Sequence, residues 1–199
     1  MSGAIISSMA LGRARTAAAP GGIICADSFE NGTLNISLGL RTFNTPTDYG
    51  GWTQLSPILA DSTIQQRDPG DNFVKSRRSN PDMYAPVATF SATDYYVQAA
   101  MLSPRDTSRI GLFFNRTDGD NYCYLDLSQN GDLWTRLYEV VNTIPNLLYD
   151  GPTAGIYNES TIVLVEVRGQ SIIIFVDAVE QGAGFTTVVA AAPLAGLRG

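Results

Sequence analysis

Apolar and polar residues alternate with a period of two along the second half of the chain, and turn residues interrupt this pattern at intervals of about 8 to 12 residues. Such alternation is typical of β-strands with one buried face, because successive side chains of a strand point to opposite sides. It predicts strands over residues 95–102, 109–115, 122–127 and 133–141. Asn130-Gly131 favours a type I′ turn, so the last two of these strands are predicted to form a hairpin.

Two later segments, 161–167 and 171–176, are rich in β-branched residues and meet at a turn around Gly169. Because they are apolar at most positions, they are predicted to lie in the middle of a sheet that is covered on both faces. A loop is predicted before them from its turn-forming residues, which are Pro145, Gly151, Pro152 and Gly155.

The first half of the chain is less regular, with short strands predicted over residues 23–29, 52–55 and 73–74. No segment has helical periodicity with capping residues. The pattern therefore predicts one all-β domain over residues 23–199, a two-sheet antiparallel β-sandwich. Residues 1–22 are rich in Ala, Gly and Ser and are predicted to form an extended N-terminal arm.

Composition and charge limit the classes of fold and of binding partner that this chain can have. A hydrophobic content of 44% allows a sizeable core, while 19 glycines and 10 prolines favour turns and strands over helices. The net charge of −6 argues against binding to nucleic acid or to anionic lipid. No apolar run is long enough to span a membrane, and no basic residue precedes the apolar N-terminal stretch as in a signal peptide.

The two cysteines, Cys25 and Cys123, exclude a disulfide framework and a zinc site built from four cysteines. Two buried free thiols are the favoured interpretation, because unpaired Cys behaves as a small apolar residue. A single bridge between them is the alternative.

Several motifs, in this order, resemble the concanavalin A-like and laminin G-like jelly rolls, which include modules of bacteriophage virion proteins. The matching motifs are Asp27-Ser28-Phe29 with Gly50-Gly51-Trp52, residues 110–116 with Asn121-Tyr122-Cys123-Tyr124, residues 165–177, and Ala195-Gly196-Leu197. The resemblance implies a jelly-roll sandwich that works as a binding or structural module.

The virion examples imply a capsid-decorating or tail-associated component that contacts host glycan and assembles in the host cytoplasm. The chain ends at Gly199, where the family has another strand. The arm and this open C-terminal edge are therefore expected to contact other virion subunits or further copies in a homo-oligomer. The alternatives are a stand-alone lectin-like carbohydrate-binding protein and, less favoured, a glycoside-cleaving enzyme.

Catalytic residue types are scarce. The chain has no histidine, which excludes Ser-His-Asp and Cys-His nucleophiles and the commonest catalytic zinc ligand. Retaining glycosidases need two carboxylates about 5 to 5.5 Å apart, yet no predicted strand carries acidic residues at positions i and i+2. We therefore expect no catalysis, unless carboxylates from distant strands meet.

Sugar binding uses aromatic faces and a few polar groups, and the candidates are Trp134, Arg136, Tyr138, Tyr49 and Trp52. The first three share one face of the strand 133–141. The alternatives are a core position for Trp52, which the Gly-Gly-Trp resemblance implies, and a cross-strand cluster that only stabilises the sheet. Asp118, Asp120 and Asn121 offer oxygen ligands for calcium, although a tight turn uses the same residues. No other cofactor is expected.

Overall fold

Two antiparallel β-sheets make up the described part of the chain. The computed structural model describes the backbone of residues 5–12, 23–27, 52–54, 62–68, 71–76, 83–86, 93–102, 109–130, 132–152, 161–192 and 195–198. Side chains are described for residues 93–100, 111–127, 134–152, 161–192 and 195–196. Within these residues, no helix is long and apolar enough to cross a membrane.

The described strands, in chain order, are β1 (Ile5–Gly12), β2 (Ile23–Asp27), β3 (Trp52–Gln54), β4 (Ser62–Asp68), β5 (Asp71–Ser76), β6 (Met83–Pro86), β7 (Asp94–Leu102), β8 (Arg109–Phe114), β9 (Tyr122–Asn130), β10 (Asp132–Val141), β11 (Ile144–Pro152), β12 (Thr161–Arg168), β13 (Ser171–Val176), β14 (Val179–Glu180), β15 (Phe185–Thr186) and β16 (Gly196–Arg198). The larger sheet has the order β14-β13-β12-β7-β1-β5-β4, with β15 on β13 and β2 on β1. The smaller sheet has the order β11-β10-β9-β8-β16-β6-β3. The predicted all-β, two-sheet fold is confirmed.

The core lies between one face of each sheet. The larger sheet contributes alternate residues of β7, β12 and β13, which are Tyr95, Val97, Ala99, Val163, Val165, Val167, Ile172, Ile174 and Val176. The smaller sheet contributes Leu112, Phe114, Cys123, Leu125, Leu127 and Leu137. Full burial of each large aliphatic or aromatic side chain contributes about 1.5–3 kcal/mol, so this inner layer drives the stability of the sandwich.

The strands predicted in the second half are confirmed, with ends that differ by a few residues. β9 and β10 form the predicted hairpin, with Leu137 opposite Leu125 and Tyr138 opposite Tyr124. The turn residue Gly131 lies outside the described residues. Trp134, Arg136 and Tyr138 share one face of β10, as the alternation predicts.

The predicted loop before β12 is instead largely a strand, β11, which pairs with β10. Asn142 and Thr143 both have positive φ, at 50° and 70°, and so form the tight turn that joins β10 to β11. Pro145 and Pro152 are compatible with strand structure here because β11 is at the edge of its sheet, where a missing N–H disrupts no second partner.

β12 and β13 are buried on one face and not on both, contrary to the prediction. Outward residues of β12 are partly or fully exposed, and Ile162 is 46% exposed. The outward face of β12 mixes Ile162 and Leu164 with an ion pair between Glu166 and Arg168, so it does not require a covering layer.

The first and last described strands, β1 and β16, each lie between two neighbouring strands of a sheet. The structure places Ile5–Gly12, part of the predicted arm, as β1 between β7 and β5. The segment has no charged residue before Arg13, which suits the middle of a sheet. The C-terminal strand β16 pairs with β8 on one side and with β6 on the other, so it does not form the predicted open edge.

Cys123 is a buried free thiol, which leaves no bridge to Cys25. Its Sγ lies 3.4 Å from Thr187 Oγ1. Burial raises the pKa of the Cys123 thiol to about 12, and the contact with Thr187 opposes part of that rise. The thiolate is therefore scarce near neutral pH in the folded chain.

We expect Cys123 to be inert toward Ellman's reagent at pH 8 in the folded chain, since the reagent attacks the thiolate. A Cys25→Ser variant isolates this thiol, and its absorbance change is expected only after denaturant is added. Rapid stoichiometric reaction of the folded variant would contradict the burial of Cys123.

Candidate functional site

The outward residues of β10 form a half-exposed row. Trp134, Arg136 and Tyr138 alternate with Thr135, Leu137 and Glu139, which are buried on the core side. The structure thus brings together three predicted sugar-binding residues on the outer face of the smaller sheet, near its β11 edge.

A carboxylate from β11 joins two of these residues. Trp134 Nε1 donates a hydrogen bond to Asp150 Oδ1, and Arg136 Nε donates to the same oxygen at 3.1 Å. The Arg136 and Asp150 side chains are 32% and 39% exposed, so the pair is open to solvent. We call Trp134, Arg136, Tyr138 and Asp150 the β10–β11 surface.

Asp150 is not among the predicted site residues, because Pro145, Gly151 and Pro152 predict a loop for its segment. Little in the sequence indicates this strand, because Thr143 is β-branched and such residues rarely adopt the positive φ of the turn at Asn142-Thr143. A turn there pairs β11 with β10 and sets Asp150 opposite Arg136.

An aromatic cluster continues this surface toward the middle of the sheet. Tyr138 stacks on Tyr124 with ring centroids 4.7 Å apart and an interplanar angle of 16°. Tyr124 is only 8% exposed and Phe113 is fully buried, and both pack with Val140. The cluster therefore holds the Tyr138 ring in place. Because Phe113 and Tyr124 are buried, the accessible part of this outer face of the sheet lies toward β11.

The row that contains Arg136 runs across four strands. Gly111, Asp126, Arg136 and Asp150 are in register on β8, β9, β10 and β11. Asp126 is 4% exposed. Arg136 is therefore flanked in register by an acidic residue on each side, one buried and one exposed.

The side chains of the remaining predicted sugar-binding residues lie outside the described residues. Tyr49 lies outside the described residues. Trp52 begins β3, at the opposite end of the smaller sheet from β11, and its side chain also lies outside the described set. A role for either residue stays a prediction.

The predicted calcium ligands form an exposed turn between β8 and β9. Asp118 Oδ1 accepts hydrogen bonds from the backbone N–H groups of Asp120 and Asn121, both at 2.8 Å. These bonds and a further one from the Asn121 side chain lower the pKa of Asp118. Asn121 Oδ1 accepts from Asn142 N at 3.1 Å, so the turn is tied to the β10–β11 turn.

The described residues contain no group of three or more His, Cys, Asp or Glu side chains that could hold a metal ion. Calcium at this turn stays a prediction, while the hydrogen bonds account for the use of Asp118 and Asn121.

Another carboxylate, that of Glu139, is buried on the core side of β10. Its Oε2 accepts hydrogen bonds from Thr187 Oγ1 at 2.8 Å and from Val188 N at 3.0 Å. These bonds attach the segment after β15 to the smaller sheet, so Glu139 serves the fold and does not face the β10–β11 surface.

Comparison with known proteins adds a structural relationship. No family model matches the chain, and no curated protein matches it. Among solved structures, the carbohydrate binding module CBM66 from Bacillus subtilis superposes with a TM-score of 0.56 at 15% identity, over 74% of this chain and 86% of that chain. At this level of identity the likeness is one of fold, and the chain has the β-sandwich jelly-roll fold of that module.

Proposed function

We propose that this protein is a non-catalytic carbohydrate-binding module whose sugar ligand contacts the β10–β11 surface. The observation that carries the proposal is the hydrogen-bonded set of Trp134, Asp150 and Arg136 beside the stacked ring of Tyr138. All four side chains are at least partly exposed.

The chemistry of this surface suits a sugar. A sugar ring has an apolar C–H face that packs on an aromatic side chain, and hydroxyl groups that need donors and acceptors. Trp134 and Tyr138 supply aromatic surface, and Arg136 supplies N–H donors. Asp150 supplies acceptor oxygens within the same row.

The fold likeness supports the same function. One of the solved structures that the chain resembles in fold is a carbohydrate binding module. Because this kind of scaffold hosts several activities, the likeness alone does not assign one. The proposal rests on the likeness together with the residues of the β10–β11 surface.

The carboxylates near this surface are poorly arranged for the retaining mechanism of glycoside cleavage. Arg136 stands between Asp126 and Asp150 in register, where a retaining enzyme needs two carboxylates about 5 to 5.5 Å apart. Asp126 is also nearly inaccessible, at 4% exposure. These features favour binding without bond cleavage.

A place in a phage virion stays a prediction from the sequence resemblance. The two elements expected to contact other subunits, β1 and β16, have backbone partners on both sides within this chain. We therefore propose the carbohydrate-binding alternative in preference to the virion component.

Trp134→Ala is expected to weaken binding of the best glycan at least about tenfold, because an aromatic platform contributes on the order of 1.4 kcal/mol or more. The measurement is a glycan array followed by calorimetric titration of the strongest hit. Phe175→Ala is the matched control, since Phe175 is a half-buried aromatic residue of the larger sheet. Equal affinity of Trp134→Ala and the unmodified chain would refute this site.

A further inference from the structure

We propose that the glycan bound at the β10–β11 surface is uncharged, and that Asp150 selects it against acidic sugars. This inference rests on the proposed function, because it concerns the ligand of the same surface. It is carried by the charge pattern around Arg136 and by the hydrogen bonds of Asp150.

The positive charge of Arg136 is already matched within the protein. Asp150 Oδ1 accepts from Arg136 Nε at 3.1 Å, and Asp126 lies in register on the other side of Arg136. An incoming carboxylate or sulfate would have to compete with Asp150 for the guanidinium while lying close to the Asp150 charge. Repulsion between the Asp150 carboxylate and an acidic group of the ligand opposes binding, and a site can exclude the wrong ligand in this way.

The same residues present a donor and an acceptor side by side. In the described part of the chain, both hydrogen bonds to Asp150 end on Oδ1. The second oxygen, Oδ2, belongs to a side chain that is 39% exposed and can accept from a ligand. The Nη atoms of Arg136 carry further N–H donors. An acceptor beside a donor matches two neighbouring hydroxyl groups of a neutral sugar.

The contact between Trp134 Nε1 and Asp150 places the indole ring beside the carboxylate. One ligand can therefore pack on the aromatic face and bond to the donor–acceptor pair at the same time.

Asp150→Asn tests the inference because it is expected to change the affinity for neutral and for acidic glycans in opposite directions. The amide keeps the size of the side chain and an acceptor oxygen, but removes the charge. For a neutral glycan we expect about five- to tenfold weaker binding, because a charge-assisted hydrogen bond is lost. For an acidic glycan the same change would strengthen binding, because it removes repulsion and frees Arg136.

Glu166→Gln is the matched control. Glu166 forms an ion pair with Arg168 at 3.0 Å on the outer face of the larger sheet, and the substitution changes the net charge by the same amount. The probes are neutral gluco- and galacto-oligosaccharides and their uronate and sulfated counterparts, titrated at low and at physiological salt. The expected result is salt-insensitive binding of a neutral probe, weakened by Asp150→Asn and unchanged in Glu166→Gln.

Tighter binding of an acidic probe than of its neutral counterpart by the unmodified chain would overturn this inference and leave the proposed function standing. Neutral binding that Asp150→Asn does not alter would overturn the role of Asp150. If the unmodified chain binds no glycan of either class, the proposed function fails, and the inference fails with it.

Discussion

Gly111→Ala is expected to destabilise the sandwich by about 3 kcal/mol or more, because an added methyl group has no space between β8 and β9. A Cβ at Gly111 would overlap the backbone carbonyl oxygen of Leu125 and lie 3.1 Å from its carbonyl carbon. Backbone atoms of a paired strand cannot rotate away as a side chain can. The two strands would have to separate at the row that also contains Asp126.

Gly119→Ala is the control for this change. In that variant the nearest heavy atom to the new Cβ is Arg116 Nη2, at 3.8 Å, and the position lies in an exposed turn. We expect a shift within about 0.5 kcal/mol. Urea denaturation followed by fluorescence gives both values from the transition midpoints. A midpoint for Gly111→Ala equal to that of the unmodified chain would show that β8 and β9 do not approach each other this closely.

The strands that were predicted well are those with one face in the core. In β9, Cys123, Leu125 and Leu127 are buried on the core side, as their period of two indicates. In β10 the same rule groups Trp134, Arg136 and Tyr138 on one face, which the structure shows to be the outer face. Alternation is informative here because a shift of one residue would expose the whole apolar set.

The elements that were missed have no such pattern. β4 has the sequence STIQQRD and lies at the edge of the larger sheet, where polar residues are acceptable on both faces. β11 contains two prolines and begins after a turn at Asn142-Thr143. Both turn residues have positive φ, a conformation that residues other than glycine rarely adopt. Pairing between strands determines such elements, and local sequence gives little sign of it.

The same distinction explains what could be predicted of the candidate site. Residue type and spacing were sufficient to identify three side chains on β10. Asp150 comes from another strand, and its place beside Arg136 depends on the β10–β11 register and on a register shift between Leu137 and Tyr138. Because the charge balance of the surface depends on Asp150, the proposed class of ligand could be inferred only from the structure.

The buried hydroxyl of Tyr95 links the two sheets. Tyr95 belongs to β7 of the larger sheet, and its hydroxyl donates to Asn115 Oδ1 at 2.6 Å and accepts from Asn115 N at 2.9 Å. Asn115 follows β8 of the smaller sheet, is fully buried and has a φ of 50°. Ala192 O lies 3.1 Å from the same hydroxyl as a further acceptor. One oxygen atom therefore satisfies an N–H and a side-chain carbonyl that water cannot reach.

Tyr95→Phe is expected to cost about 2–4 kcal/mol, because it leaves two buried polar groups of Asn115 without this partner. Tyr138→Phe, which removes a hydroxyl from a half-exposed ring, is the control and should shift stability by less than about 0.5 kcal/mol. Both values come from urea denaturation at neutral pH. A loss in Tyr95→Phe no larger than that of the control would show that the hydroxyl does not stabilise the fold.

The pH dependence of stability provides a separate test of this hydroxyl. Burial raises the pKa of Tyr95 well above its usual value, and the N–H of Asn115 opposes part of the rise. Above about pH 10 the unfolded chain releases the Tyr95 proton while the folded chain retains it. The stabilisation is thus complete below that pH and declines above it, by up to about 1.4 kcal/mol per pH unit. Tyr95→Phe should lose stability less steeply than the unmodified chain between about pH 10 and 12, whereas equal slopes would mean that this hydroxyl titrates normally in the folded state.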